Sequence, residues 1–390
     1  MTIYRLAQLF LLSACFPLCI FSATESTNPI AGEAESEGFF TDFIDDEDGK
    51  FDLSDFLAKP SGFLLVPIII TEPAVGYGGG LAAVFLQPRE EAGSAGWTRP
   101  NISGAAALKT ENGTEALAGF DSRYWFDGKL RSQAFAMSSS VFLDFYTPDE
   151  NSSKIDAIRY LLDVKGGQLG LEWHSPIDKV SFDLAFNYFE IDAKLDSNRT
   201  SPFLPGVSTT EFSSIVLGFE YDSLDNPFTP NEGYLAKTSY TINDESLGAT
   251  DDFQKLKQTL IGYWTPGDSF VIGLKIEGQA IFGDYPFYAK PFVSLRGVPA
   301  VRYQGESVLF GELEIQYILN SRWRVLGFAG TGKSWDDDIF GQNDQSVYSG
   351  GAGFRYRLAR KFGMDVGIDV AASKDEQVLY LTFGSAWARP

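Results

Sequence analysis

One histidine, two cysteines and three methionines among 390 residues leave little material for a transition-metal centre or for histidine-based catalysis. The histidine lies in Glu172-Trp173-His174-Ser175-Pro176. A His–Ser hydrolase or an Asp–His protease would have to use it. Neighbours on a strand face opposite sides, so Ser175 is badly placed to be activated by His174, and a turn or interface histidine fits better. Tyr77-Gly78-Gly79-Gly80 follows a turn but opens no helix; its glycines suit close strand packing rather than a phosphate cradle. Asp46-Glu47-Asp48-Gly49-Lys50-Phe51-Asp52 carries part of a calcium-loop spacing. The first ligand position, however, holds Ile44, and the twelfth holds Asp55 rather than Glu, so a solvated arm accounts for the acids better. No catalytic residue, metal site or cofactor is expected.

Composition narrows the class. Lys and Arg total 31 against 52 Asp and Glu, a net charge of −21, which excludes a nucleic-acid partner bound through a general basic surface. With 44% hydrophobic and 15% aromatic residues the chain is not of disordered composition. Residues 1–23 have the form of a secretory signal peptide: Arg5, an apolar run over 6–21, then Ser22-Ala23. Leu12-Ser13-Ala14-Cys15 is similar to a lipoprotein cleavage box, but the apolar run continues past it to Phe21. Both cysteines, Cys15 and Cys19, fall in this segment, so no disulfide framework is expected after cleavage. Residues 24–61 read as an acidic periplasmic arm, with ten acids and one base, Lys50, between positions 33 and 55. Phe39, Phe40, Phe43, Phe51 and Phe56 give it apolar side chains for docking.

The elements that must position any site are strands. No later window offers the ~18 apolar residues of a membrane helix, and the hydrophobic period is two. Phe270, Ile272, Leu274 and Ile276 alternate with Val271, Gly273, Lys275 and Glu277; Phe362, Met364, Val366 and Ile368 alternate with Gly363, Asp365 and Gly367. Segments of about 10–14 residues, a polar face suited to a wet lumen and aromatics at the ends, including 142–146, Trp125, Trp264, Trp335 and Trp387, point to an all-β transmembrane antiparallel barrel over 62–387. Fifteen strands can be placed: 74–87, 101–110, 114–126, 129–146, 158–174, 179–194, 209–222, 234–244, 253–265, 269–282, 306–319, 322–335, 346–359, 362–372 and 377–387. Even numbers are the rule, so 63–71 supplies a sixteenth; twelve or fourteen are the alternatives, with 63–71 inside the lumen. Asn112-Gly113 and Asp127-Gly128 are hairpin signals.

Three stretches carry a family resemblance. Leu295-Arg296-Gly297-Val298, followed by Arg302, lies in the long loop 283–305. Asp222, Asp225, Asn226, Pro227, Pro230 and Gly233 punctuate the segment between two central strands. Leu379, Leu381, Phe383, Gly384 and Trp387 mark the last strand. Together they resemble the BamA/TamA-type outer-membrane assembly and two-partner-secretion superfamily, the bacterial surface-antigen barrel. The resemblance implies a sixth loop tucked into the lumen with its Arg meeting acids on the wall, a periplasmic turn, and a terminal strand that acts as an insertion signal. Residues 24–62 are too few for a periplasmic POTRA domain, so a member lacking them is expected. In the family an acid in Phe-x-Asp-x-Gly also meets the Arg. Here the match is Phe328-Ala329-Gly330-Thr331-Gly332, with Gly330 in the acid's place.

The loop's own chemistry agrees. Tyr285, Phe287, Tyr288, Phe292, Val293, Leu295 and Val298 make it too apolar to hang in water. Arg296, once buried, needs a carboxylate, because an unpaired buried cation is costly. Glu314 is the first choice and Glu312 the second, both inward on the next strand; Asp365 and Asp369 are the substitutes for the missing acid. The resemblance implies a non-enzymatic protein of the bacterial outer membrane that inserts or translocates proteins or lipids. Its partners would be membrane lipid and lipopolysaccharide, a protein or lipid client, and the barrel-assembly machinery during its own biogenesis. A plugged small-solute channel or structural barrel is the alternative, and an outer-membrane hydrolase the second.

Overall fold

The computed structural model describes residues 43–45, 47–54, 62–72, 74–87, 100–148, 155–196, 208–336 and 344–387. Residues 1–23, expected to be a signal peptide, and most of 24–61, expected to be the acidic arm, lie outside the described residues. The strands are β1 (Gly62–Ile70), β2 (Gly78–Gln87), β3 (Asn101–Thr110), β4 (Glu115–Trp125), β5 (Leu130–Pro148), β6 (Ile155–His174), β7 (Val180–Leu195), β8 (Ser208–Asp222), β9 (Gly233–Asn243), β10 (Phe253–Trp264), β11 (Phe270–Gly283), β12 (Ser307–Ile318), β13 (Trp323–Trp335), β14 (Gln345–Ala359), β15 (Met364–Ser373) and β16 (Gln377–Phe383). Each pairs antiparallel with the next in one sheet of 16 strands, and no register joins β1 to β16. The result is a nearly closed barrel with one seam. The count is the sixteen expected; 63–71 is the first wall strand, and twelve and fourteen fall away. Pro67, which has no N–H to give, sits in β1, an edge strand that tolerates it. An even count puts both ends of the sheet at one rim, here termed the lower end.

The two faces are inverted relative to a soluble sheet. On β12, Leu309, Leu313, Ile315 and Tyr317 are exposed, while Glu312, Glu314 and Gln316 are buried. Charge inside and aliphatic surface outside is what lipid on one side demands. No helix among the described residues is long and apolar enough to cross a membrane. Trp125, Trp173, Phe182, Phe219, Tyr234, Trp264, Phe270 and Trp323 stand exposed near the lower end as an aromatic girdle. Two expected girdle members depart from it. Phe145 points inward onto Tyr160 and Phe287, with ring centroids 5.6 and 4.9 Å away, and Trp387 is buried.

Strand length is uneven. β5, β6 and β7 run 19, 20 and 16 residues, well beyond the ~9–11 that span a bilayer. The outward face of β6 carries Leu169, Leu171 and Trp173 low down but Asp163 and Lys165 higher up, and Lys194 of β7 pairs with Asp163 at 2.8 Å. These strands therefore rise above the lipid band. The space they enclose is not a wet lumen but a packed core. Val66, Ile68, Met137, Leu143, Tyr160 and Ile191 from the wall bury Tyr288, Phe292 and Val301 of the β11–β12 loop. Lower down, between β5 and β9, the interior is polar: Arg131 pairs with Glu172 at 3.2 Å and Lys237 with Glu220 at 2.9 Å.

Candidate functional site

The β11–β12 loop enters the barrel as a finger. A bridge between Phe292 and Gln304, with Val293 N donating to Tyr303 O at 3.0 Å, holds its two limbs together. Two glycines of β13 make room for it. A Cβ on Gly332 would meet Val293 at 2.4 Å, and one on Gly330 would meet Leu295 at 2.9 Å. An acid at 330 would thus occupy the space that Leu295 fills, which is a physical reason for the departure from the family pattern at this position.

At the tip, Arg296 meets three carboxylates. Its Nε donates to Glu312 Oε1 at 3.0 Å, Nη2 to Glu314 Oε2 at 2.7 Å and Nη1 to Asp369 Oδ2 at 2.8 Å. Its Cζ lies 3.5 Å from the centroid of the Phe328 ring. Planarity lets one guanidinium serve several carboxylates and an aromatic face at once. Arg355, on β14, adds a fork to Asp369 at 2.5 and 2.9 Å, so two cations stand among three buried anions. Gly297 is required by geometry. Its φ is +79°, a Cβ there would meet Ala372 N at 2.8 Å, and its own N–H donates to Tyr380 Oη at 3.1 Å. Arg302 lies over the Tyr146 ring, 4.7 Å from its centroid, and Tyr303 donates to Asp375 in the β15–β16 turn. The finger is therefore fastened to β12, β15 and β16.

Asp365 does not join this cluster. It pairs with Arg357 and, at 3.8 Å, with Arg324, four residues nearer the lower rim than Asp369, which Arg296 reaches. The last strand also differs from the expected 377–387. β16 ends at Phe383, and Gly384, at φ +70° beneath Phe228, turns the chain into the barrel mouth. Leu379 faces out, whereas Trp387 is carried inside. Its Nε1 donates to Glu312 Oε1 at 2.6 Å, its ring packs on Tyr263, and Gly273 leaves the room it needs. Strand alternation alone could not show this, because a single left-handed residue resets the parity.

The β8–β9 turn clasps that tail. Asp222 and Asp225 accept from the backbone N–H groups of Leu224 and Asn231 at 3.0 and 2.8 Å, and Asn226 accepts from Phe228 at 2.7 Å while donating to Phe362 O at 2.9 Å. Pro227 and Pro230 line a small cleft with Tyr263, Ser385 and Trp387, and Gly233 takes φ +101°. The partial calcium spacing has a different use here. Asp45, Asp48 and Asp52 surround the guanidinium of Arg322 at 2.7, 2.6 and 2.5 Å. Arg355, Tyr380 and Arg322 were not singled out by sequence, and Phe328 entered only as the start of the glycine-containing match, not as a ring beneath Arg296. Inward parity beside Asp369 was the available signal for Arg355.

Fold and interior together define a transmembrane β-barrel whose long loop is locked inside by one arginine. The chain matches the Omp85 superfamily domain over residues 99–297, just over half its length, and it belongs to that superfamily. It is a protein of the bacterial outer membrane. Among solved structures, BamA from Haemophilus ducreyi lacking POTRA domains 1–3 aligns with a TM-score of 0.54 and 13% identity, covering 82% of this chain and 68% of that one. CdiB from Escherichia coli aligns at 0.55 and 14%, covering 84% and 60%. CdiB from Acinetobacter baumannii aligns at 0.55 and 12%, covering 82% and 59%. At these identities the likeness is one of fold, and the chain spans about three fifths of the CdiB structures. No curated protein sequence matches it.

Proposed function

We propose that this protein is a non-enzymatic barrel that inserts or translocates proteins or lipids at the outer membrane, with the β1–β16 seam as its working element and the Arg296 finger as the brace beside it. The lower end, which carries both rims of the seam, faces the periplasm in this reading. One observation carries the proposal: the finger is fastened to β15 and β16, on one side of the unpaired seam, through Gly297 against Ala371–Ala372 and its N–H to Tyr380. A sheet edge is a template for another strand. A loop that only blocked a pore would have no need to grip that edge.

Ile69 and Leu381 lie on the outward faces of the two edge strands. Joining Ile69→Cys and Leu381→Cys with a bifunctional thiol reagent should reproduce the outer-membrane protein or lipid defects of a deletion strain. Full complementation by the cross-linked protein would overturn the proposal.

The packed upper interior favours a second reading, a plugged channel. Deleting 285–303 should raise single-channel conductance in a planar bilayer under either reading. Only under the plugged-channel reading should the seam cross-link be harmless. His174, whose Nε2 lies 3.3 Å from Glu172, serves the polar lower wall in both.

A further inference from the structure

The segment of the acidic arm around Arg322 is built into the lower rim rather than solvated. Arg322, in the β12–β13 turn, has no exposed side-chain surface. Besides three arm carboxylates it holds Arg357 O at 3.1 Å. The arm is also hydrogen-bonded by its backbone. β14 carries a bulge between Arg357 and Ala359 that leaves Leu358 outside the ladder, and Leu53 N donates to Leu358 O at 2.8 Å. Arg360 N donates to Asp52 at 3.0 Å, Lys361 N to Ser54 Oγ at 2.9 Å, and Tyr356 Oη to Phe51 O at 2.6 Å. Phe43 and Leu53 are buried against Ala359 and Met364.

Topology gives this docking a consequence. The arm is bound at β13–β15, yet the chain then runs from Ser54 to Gly62, the start of β1. On the sheet β15, β16 and the seam lie between. Covalent continuity therefore ties the docked arm, on one side of the seam, to the lower end of β1 on the other. Eight residue steps reach at most ~29 Å, and the three strand spacings from β14 to β1 across a shut seam take up ~14 Å. The remainder, about 14 Å, is the room left by roughly three inserted strands at ~4.8 Å spacing.

We propose that the docked arm ties one side of the seam to the other as a strap, with Arg322 as its catch: while docked it limits opening at the lower end to about three strands, and wider opening requires Arg322 to let go. This rests on the seam being the working element, but it is tested without a client. The measurement is the distance distribution between spin labels on Phe63→Cys and Phe383→Cys, near the lower ends of β1 and β16, with Cys15 and Cys19 replaced by serine. In Arg322→Ala the distribution should gain a population more than ~15 Å longer, beyond the ~14 Å of slack in the docked strap. The triple variant Asp45→Asn, Asp48→Asn, Asp52→Asn should do the same with the barrel wall untouched, which covers the case in which Arg322→Ala does not fold. With the labels attached through thioether bonds that reductant leaves intact, a Ser54→Cys, Lys361→Cys disulfide in the Arg322→Ala background should remove the long population and reductant should restore it. An arm shown to be released, by a mobile label at position 54, with unchanged β1–β16 distances would overturn the strap. That outcome leaves the seam cross-linking result standing, so the two ideas fail separately.

Discussion

Glu312 Oε1 accepts from Arg296 and from Trp387 at once, while its Oε2 has no partner among the described residues. One oxygen thus joins the finger from above to the tail from below. Arg296→Ala would strand three buried carboxylates with Arg355 as their remaining guanidinium, and breaking a buried pair from one side costs ~3–5 kcal/mol. The folded, SDS-resistant form should therefore convert to the unfolded band at a markedly lower temperature on heat-modifiability gels. Arg296→Lys should be intermediate. An ammonium cannot present a planar fork to Glu312, Glu314 and Asp369 or lie flat on Phe328. Equal stability of Arg296→Lys and wild type would show that charge alone, not fork geometry, holds the tip.

At the scale of elements, the two ends of the seam should answer pH differently. In the turn after β1, burial pushes the Glu72 carboxyl up to about 7, helped by the nearby Glu376 charge and opposed by a hydrogen bond from the Ala74 backbone. A raised carboxyl costs nothing below its unfolded value of 4.5 and opposes the packed state increasingly as pH climbs to about 7. On the arm, the Arg322 hydrogen bond to Asp48 draws that carboxyl down to about 2 against burial. At Asp52 burial pulls upward, but hydrogen bonds from Ser54 and Arg322 prevail and hold it low. Lowered carboxyls contribute stability above the ordinary 3.8 that is lost only as pH falls toward 2. Between pH 5.5 and 8.5, hydrogen exchange corrected for intrinsic rate should rise in peptides covering 68–77 and 377–381 and stay flat in 43–54. Glu72→Gln should abolish the rise. A pH-independent upper end in wild type would refute the assignment to Glu72.

At the scale of the whole molecule, the seam, the tip of the finger, the docked arm and the C-terminal tail meet along the wall from β12 to β1, six of the sixteen strands. Much of this was legible from residues alone. Period-two alternation, a sixteenth segment at 63–71 and turn signals such as Asn112-Gly113 specified the wall, because lipid and lumen impose their two faces on every strand locally. The apolar content of 285–298 and one buried cation required a loop inside with acids nearby. Which acids was a tertiary matter. Asp365 and Asp369 share a face four residues apart on β15, and only strand stagger puts Asp369 under Arg296 and Asp365 beside Arg357. The inward turn at Gly384, the glycine shelf under Val293 and Leu295, and the arm on Arg322 join residues from 35 to 277 positions apart. Sequence determined the barrel because each strand reports its own surroundings. The tertiary structure decided the latches, because a contact between distant segments leaves no periodic trace in either one.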